Sequence, residues 1–278
     1  MINFNGDLVG QSNEHIEQNR GFLYADAVFE TLKVLDGKIL FLEDHYFRLM
    51  ASMRILRMEI PLDFTLEYME SQIIKTTTAL NLTHARVRLT VFRNGSGKYL
   101  PEQRTVGFVI VAEPAATIYT NKLEKYEVEL FKDFYISKHL LSSLKTTSCL
   151  VNITASIFAK ENGYENCLLI NDEKNVVEAT NGNVFLITNN TVVTPPISDG
   201  CKNGIIRKKM IEIIKKSEEL LFEERSISPF ELQKADEMFI TNIAVGIQSV
   251  TQYRKKKFDQ TVANNLLVKL NALVRFNS

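Results

Sequence analysis

Four stretches of this chain carry residue types that could do chemistry. In SSLKTTSCLVN, residues 142–152, Lys145 stands just ahead of a helical segment, between Leu144 and the small hydroxyl residues Thr146, Thr147 and Ser148. A cation at that place opposes the positive end of the helix dipole. A lysine whose pKa is depressed by desolvation or by neighbouring cations is a nucleophilic amine instead. Most lysines are surface charges, so this stretch alone leaves both readings open. In VVEATNGNVF, Glu178 ends a strand-like run among small residues that let a ligand approach the backbone. It is either an ordinary turn acid or an anion able to keep a ring nitrogen protonated. Gly204 opens GIIRKKMIEIIKK, and a glycine leading into a helix exposes N–H groups at the positive dipole end, where phosphate binds well. Many helices begin this way without a ligand. Thr241 and Asn242, at the end of MFIT, are a second small polar group that could complete such a cradle.

These groups need elements to hold them. From Ala27 the sequence reads VFETLKVL-DG-KILFLEDH, two apolar runs around Asp36-Gly37 that predict a hairpin. DHYFRLMASMRILRM has apolar residues at helical spacing (Tyr46, Phe47, Met50, Met53) and stops before Pro61. DFTLEYMESQIIKTTTALNL predicts a second helix. RVRLTVF alternates strictly, with Val87, Leu89 and Val91 on one face and Arg86, Arg88 and Thr90 on the other, and GFVIVAEP is its expected antiparallel neighbour. Between them RNGSGKYLP is a Gly-rich turn carrying Arg93 and Lys98.

The segment EPAATIYTNKLEK is the linker candidate, which gives domains of residues 1–117 and 118–278. Two strands are expected beyond it, then the helix after Lys145, closed by Gly163 at the C′ position. CLLIND, NVFLIT, TVVTPP and MFITNI read as strands, SPFELQKA as a short helix, and VANNLLVKLNALVRF as an amphipathic one.

Composition narrows the function classes. The chain has 278 residues, 33 basic and 33 acidic side chains, and 45% apolar residues. A formal charge of zero argues against a general nucleic-acid or membrane-surface binder, and Lys255, Lys256 and Lys257 read as a solvated face. Three cysteines (Cys149, Cys167, Cys201) without a CxxC pair fit free thiols in a reducing compartment. Cys149 lies within reach of Lys145 if the two share a helix, but burial is its expected state. His15, His45, His84 and His139 are scattered without metal-ligand spacing. The N-terminus lacks a continuous apolar run, so a cytoplasmic protein is expected.

A nucleophilic lysine, an acid for a ring nitrogen and a phosphate cradle are together what a protein supplies to pyridoxal phosphate. The chain also resembles a family at this point. RGFLYADAVFETLKV, EDHYFRL, SSLKT, GYENCLLI, VVEATNGNVFLIT, TPPISDGCKNGIIR and ADEMFITN follow, in order, the motifs of the class IV (fold-type IV) aminotransferases. That group includes branched-chain aminotransferases, D-amino-acid transaminases and aminodeoxychorismate lyases, and the match runs from about residue 20 to about residue 250.

The resemblance implies an α/β (α+β) fold of two domains, similar to D-amino-acid aminotransferase, with pyridoxal 5′-phosphate between them and a homodimer completing each site. It implies that Lys145 is the Schiff-base lysine and the proton shuttle at the substrate α-carbon, that Glu178 partners the pyridinium, and that Arg48 grips the phosphate. Ile205, Ile206, Asn242 and Ile243 stand where the family holds the same phosphate. Tyr24 stands at an aromatic position on the substrate side, with core packing an equal reading. Arg93 and Lys98 are the candidates for a substrate carboxylate.

Four features depart from the family pattern. Ile206 stands where many relatives have Thr, Leu150 where some have Tyr, TNIAVGIQSV is closer to the lyase version than to the threonine-rich transaminase one, and RNGSGKY is a shorter form of the lyase turn. The implied activity is transfer of an amino group between a branched-chain or similar amino acid and a 2-oxo acid. The alternative is a lyase releasing pyruvate and 4-aminobenzoate from aminodeoxychorismate.

Overall fold

Asp36 and Gly37 both adopt positive φ, 51° and 75°, the backbone of a two-residue hairpin turn that a glycine accepts without strain. The turn joins β3 (Ala27–Leu35) to β4 (Lys38–Ile39) in a computed structural model that describes residues 1–10, 16–121 and 124–276. His15, and Lys122 and Leu123 of the expected linker, lie outside the described residues. The chain forms two compact units, Met1–Thr117 with Lys145–Ser148, and Ile118–Leu144 with Cys149–Arg275.

In the first unit β1 (Ile2–Phe4), β2 (Asp7–Val9), β5 (Ala85–Arg93) and β6 (Val106–Pro114) join the hairpin in a six-stranded sheet of order β2-β1-β6-β5-β3-β4. A short α1 (Arg20–Leu23) precedes β3. α2 (Leu42–Ile55) and α3 (Leu66–Ala79) supply Leu49, Met50, Met53, Met69 and Ile73 to a core with Val28, Leu32, Val87, Leu89 and Val91. The strict alternation of β5 explains why its apolar face enters this core. Thr65 caps α3 by accepting the Tyr68 N–H. Phe47, expected on the apolar face of α2, is instead 62% exposed. It lies one residue beyond Tyr46, about 100° further round the helix, and falls outside the stripe.

The second unit begins with β7 (Glu127–Leu130). The second strand expected before Lys145 does not form: Ile136 makes one isolated bridge to Asn171, and a single turn, α4 (Leu140–Ser143), follows. Next come α5 (Leu150–Glu161), β8 (Asn166–Ile170), β9 (Val176–Ala179), β10 (Asn183–Thr188) and β11 (Thr191–Thr194). They lead to α6 (Ile205–Lys215), β12 (Leu221–Glu224), β13 (Glu237–Asn242) and β14 (Gly246–Val250). A small hairpin of β15 (Gln252–Tyr253) and β16 (Lys256–Lys257) precedes α7 (Thr261–Phe276).

Two five-stranded sheets result, β12-β11-β10-β13-β14 and β16-β15-β7-β8-β9. One apolar cluster spans them, with Val128, Leu168 and Val176 from one sheet and Val184, Leu186, Met238 and Ile240 from the other. A second cluster buries Ala155 and Ala159 of α5 on Cys167, Leu169 and Val177. Burial pushes the Cys167 and Cys201 thiols up to about 12, so both behave as small apolar side chains. Cys149 is half-buried and stands at the N-cap of α5, so it does not share a helix with Lys145.

Candidate active site

Lys145 is fixed by its own main chain. β4 pairs with β3 only at Val34 and Leu35, which leaves the start of that edge of β3 open. Residues 145–147 occupy it: Phe29 N–H donates to Lys145 O at 2.8 Å, Thr147 N–H donates to Ala27 O at 3.1 Å, and Val28 bridges Thr146. The lysine is therefore in an extended segment. Its Nζ lies 4.1 Å from the centroid of the Phe29 ring, a contact that attracts a cation to an aromatic face.

Arg88 approaches the same ring, its guanidinium carbon 3.6 Å from the centroid. The register brings it there, because β3 pairs with β5 through Thr31 and Arg88. Lys33 falls on that strand face by alternation; burial pushes its pKa down to about 8. Three basic side chains thus share one side of β3 and β5. Sequence reasoning placed Arg88 on the polar face of its strand but gave it no role. Its partner ring lies on another strand, so only the β3–β5 register reveals the pairing.

Arg48, the expected phosphate ligand, lies on α2, where Glu30 holds it. Its Nε donates to Oε1 at 2.7 Å and its Nη2 to Oε2 at 2.5 Å. His45 Nδ1 lies 2.7 Å from the same Oε2. Burial alone would raise the Glu30 pKa, but the Arg48 charge and the hydrogen bonds from His45 and Arg48 outweigh it and hold the carboxyl at about 2. Burial lowers the pKa of His45 despite the Glu30 hydrogen bond. The imidazole is neutral, and its Nδ1–H donates to the carboxylate.

Arg93 departs from expectation. It is 7% exposed, and its donors go to Asp26 Oδ2 (2.9 Å), Leu56 O (2.7 Å) and Arg57 O (3.2 Å). A guanidinium committed in this way is a structural brace, not a receptor for a substrate carboxylate. Arg20, not singled out in the sequence, donates Nε to the same Asp26 oxygen at 3.0 Å and Nη1 to Gly97 O and Lys98 O. Arg93 thus braces the base of the Gly-rich turn and Arg20 its middle, through one shared carboxylate. Lys98 is exposed near its tip. Tyr24 is 41% exposed, which excludes core packing, and its ring meets Tyr99 edge-on at 6.0 Å.

The remaining candidates lie in the second unit. Glu178, on β9, is 3% exposed and accepts the Lys202 backbone N–H at 2.8 Å, with Lys202 Nζ at 3.3 Å. Ile205 and Ile206 form the first turn of α6, whose N-cap Gly204 offers no side-chain cap to the first N–H groups. A Cβ on Gly204 would stand 2.1 Å from Asn183 Oδ1, so only glycine allows this approach. Asn183 pairs across the sheet with Thr241, whose buried Oγ1 has no hydrogen-bond partner. Asn242 turns its Oδ1 back to accept the Ala244 and Val245 N–H groups, and Ile243 O accepts the Tyr119 hydroxyl. The elements that carry Glu178, Gly204 and Thr241 therefore meet within one unit. Among the described residues no cluster of histidine, cysteine and acidic side chains could hold a metal ion, and no helix is long and apolar enough to cross a membrane.

Comparison with known proteins gives the same direction. The family model for amino-transferase class IV matches residues 27–253. A Methanocaldococcus jannaschii protein assigned as a branched-chain-amino-acid aminotransferase is 30% identical over 276 residues, covering 95% of this chain and 90% of its own. The branched-chain amino acid aminotransferase of Thermobaculum terrenum, solved in its PLP form, shares the fold with a TM-score of 0.86 and 21% identity, over all of this chain and 94% of that one. A Legionella pneumophila structure assigned as a 4-amino-4-deoxychorismate lyase superposes with a TM-score of 0.83 at 25% identity, covering 92% and 93%.

Proposed function

Since the chain belongs to the class IV aminotransferases, we propose that it moves an amino group from a branched-chain or similar amino acid to a 2-oxo acid, with pyridoxal 5′-phosphate as cofactor. The observation that carries this reading is the Lys145 amine, set by main-chain hydrogen bonds against Phe29 beside Arg88. The residues present fit the cofactor. Thr241 Oγ1 is buried and unpartnered, the α6 N-terminus has no side-chain cap, and Gly204 keeps the approach to it open.

Lys145 would hold the cofactor through its amine, Glu178 would take the ring nitrogen, and the Ile205 and Ile206 amides with Thr241, Asn242, Ile243 and Arg48 would serve the phosphate. When bound, the group supplies an electron sink for charge released at the substrate α-carbon. The chain's own part is to bind, orient and move protons. Lys145, as an amine, would accept the proton released at the α-carbon of the amino donor and pass it to the bound group, and in the second half-reaction would carry a proton the other way to the α-carbon of the acceptor. Arg88 anchors a substrate carboxylate by a charge-assisted pair, and Phe29 shields one side of the lysine from water. Ile206 lacks a hydroxyl, so the backbone amides carry more of the phosphate. Tyr24 and Lys98 contribute to the substrate side.

The likeness to the lyase-assigned structure favours the second reading, release of pyruvate and 4-aminobenzoate, on the same Lys145 and Glu178. A homodimer in the cytoplasm acting on small molecules completes the proposal. Support for the dimer is the exposed apolar stripe of Leu150, Ile153 and Ile157 on α5, with Leu140 and Leu141 of α4 exposed as well. The test is the visible spectrum of the protein with pyridoxal phosphate, before and after L-glutamate or a branched-chain amino acid is added without an oxo acid. Conversion to the pyridoxamine form supports the transaminase. A bound-cofactor spectrum that ignores every amino acid tried moves the assignment to the lyase, and no bound spectrum sinks both.

A further inference from the structure

Glu178 is met by a cation from its own unit, and that cation competes for the place the ring nitrogen needs. Both contacts come from one residue. Lys202 donates its backbone N–H to Oε2 at 2.8 Å, and its Nζ stands 3.3 Å from Oε1. The two contacts differ in how firmly they are held. The backbone of Lys202 is pinned on its other side, where its carbonyl accepts Asn183 Nδ2 at 2.8 Å and Gly204 N–H at 3.0 Å. The ammonium has no such second anchor among the described residues: its side chain is 29% exposed, the Glu178 carboxylate is 4% exposed, and the contact is the longer of the two.

A buried carboxylate without a cation is costly, so a positive partner near Oε1 holds the Glu178 side chain in its present rotamer. A flexible, strongly hydrated ammonium at the edge of solvent is the partner that leaves most easily. We propose that Lys202 is an exchangeable counter-ion: its ammonium neutralises Glu178 and yields Oε1 to a protonated heteroaromatic nitrogen, while its backbone N–H stays on Oε2 throughout. The exchange swaps one N–H···O contact for another, and no proton changes residue. Lys202 is thus a positioning residue acting through Glu178. This rests on the reading of Glu178 as the ring partner.

The experiment titrates pyridoxal phosphate into the 278-residue chain stripped of cofactor, wild type, Lys202→Met and Lys202→Arg, and follows absorbance. In parallel, thermal unfolding is recorded with and without the cofactor. With no ammonium to displace, Lys202→Met binds the cofactor about three- to tenfold tighter, the scale of a half-exposed ion pair. Its stripped form melts at a lower temperature while its loaded form melts with wild type, and Lys202→Arg keeps wild-type behaviour in both. Unchanged or weakened binding by Lys202→Met overturns the proposal.

Lys202→Gln, of similar length and polar, serves if the methionine variant does not fold, with the same expectations and the same overturning result. Glu178→Gln separates the two levels of the argument. A wild-type spectrum and affinity in that variant removes the ring-partner reading itself. An altered spectrum, with Lys202→Met still changing affinity to the same degree in the Glu178→Gln background, leaves that reading intact and overturns the counter-ion.

Discussion

Glu30 grips Arg48 by two nitrogens of its guanidinium, and the carboxylate is itself held from behind by His45. The arginine expected to serve a phosphate is therefore aimed by a carboxylate that is 1% exposed. Both partners respond to acid in the same direction. His45 has a folded pKa below 6.5, so the unfolded chain binds a proton that the folded chain refuses, and stability falls as pH drops below about 6.5. Glu30 adds a second loss as pH falls from about 4.5 towards about 2. Chemical denaturation between pH 7 and about pH 2 is expected to show this decline, with His45→Gln removing its upper part. An unchanged profile in that variant would place the acid sensitivity elsewhere.

Glu30→Gln removes the carboxylate that grips the largely buried Arg48 guanidinium. The expected cost is about 3 kcal/mol, measured by urea denaturation. Affinity for pyridoxal phosphate is expected to fall more than affinity for pyridoxal, because the damage passes through Arg48 to the phosphate.

Lys145→Ala is expected to abolish the covalent visible band of the bound cofactor and to lower the transfer rate about a thousandfold or more. Because the segment is held by the main-chain atoms of Lys145 and Thr147, the melting temperature should change little. A retained band would remove the lysine assignment.

Arg88→Met keeps the volume against Phe29 while removing the charge. The expected loss in kcat/KM is about 10- to 100-fold, the scale of a charge-assisted hydrogen bond. It should appear mainly in KM, while cofactor affinity stays at the wild-type value. A wild-type KM would show that the substrate carboxylate binds elsewhere.

Gly204→Ala drives a methyl group towards Asn183 Oδ1, 2.1 Å from the ideal Cβ position. A destabilisation of about 1–3 kcal/mol is expected from this overpacking, along with weaker binding of pyridoxal phosphate in a direct titration. Equal effects on pyridoxal and pyridoxal phosphate would mean that the α6 terminus does not serve the phosphate.

What the sequence made legible follows from how local each signal is. α2, α3, β5 and the hairpin at Asp36-Gly37 announce themselves by periodicity or turn chemistry within a few residues. β12, β14, β15 and β16 are short and lack a clean alternation, so they exist by courtesy of the strands they pair with. The segment after β7 looked extended, yet without a partner beyond one bridge it makes no strand. Long-range partners were invisible for the same reason. Arg93 looked like a receptor for substrate because it borders a glycine-rich turn, but its anchor, Asp26, lies 67 positions away. Likewise His45 reads as one of four scattered histidines until the fold brings it to Glu30. Lys202 gave no local hint, since Glu178 precedes it by 24 positions.

The turn held by Asp26, Arg20 and Arg93 separates two kinds of demand on one loop. Its stem is cross-braced in the protein interior, whereas Tyr99 and Leu100 at its crest are almost wholly exposed. Such a loop is a replaceable cassette. Crest residues can be exchanged, shortened or diversified in a library at small cost to the scaffold, because few packing contacts are forfeited. A directed-evolution campaign aimed at new amino donors could begin at residues 99 and 100 and leave the three bracing side chains, and the Lys98 carbonyl that Arg20 holds, untouched.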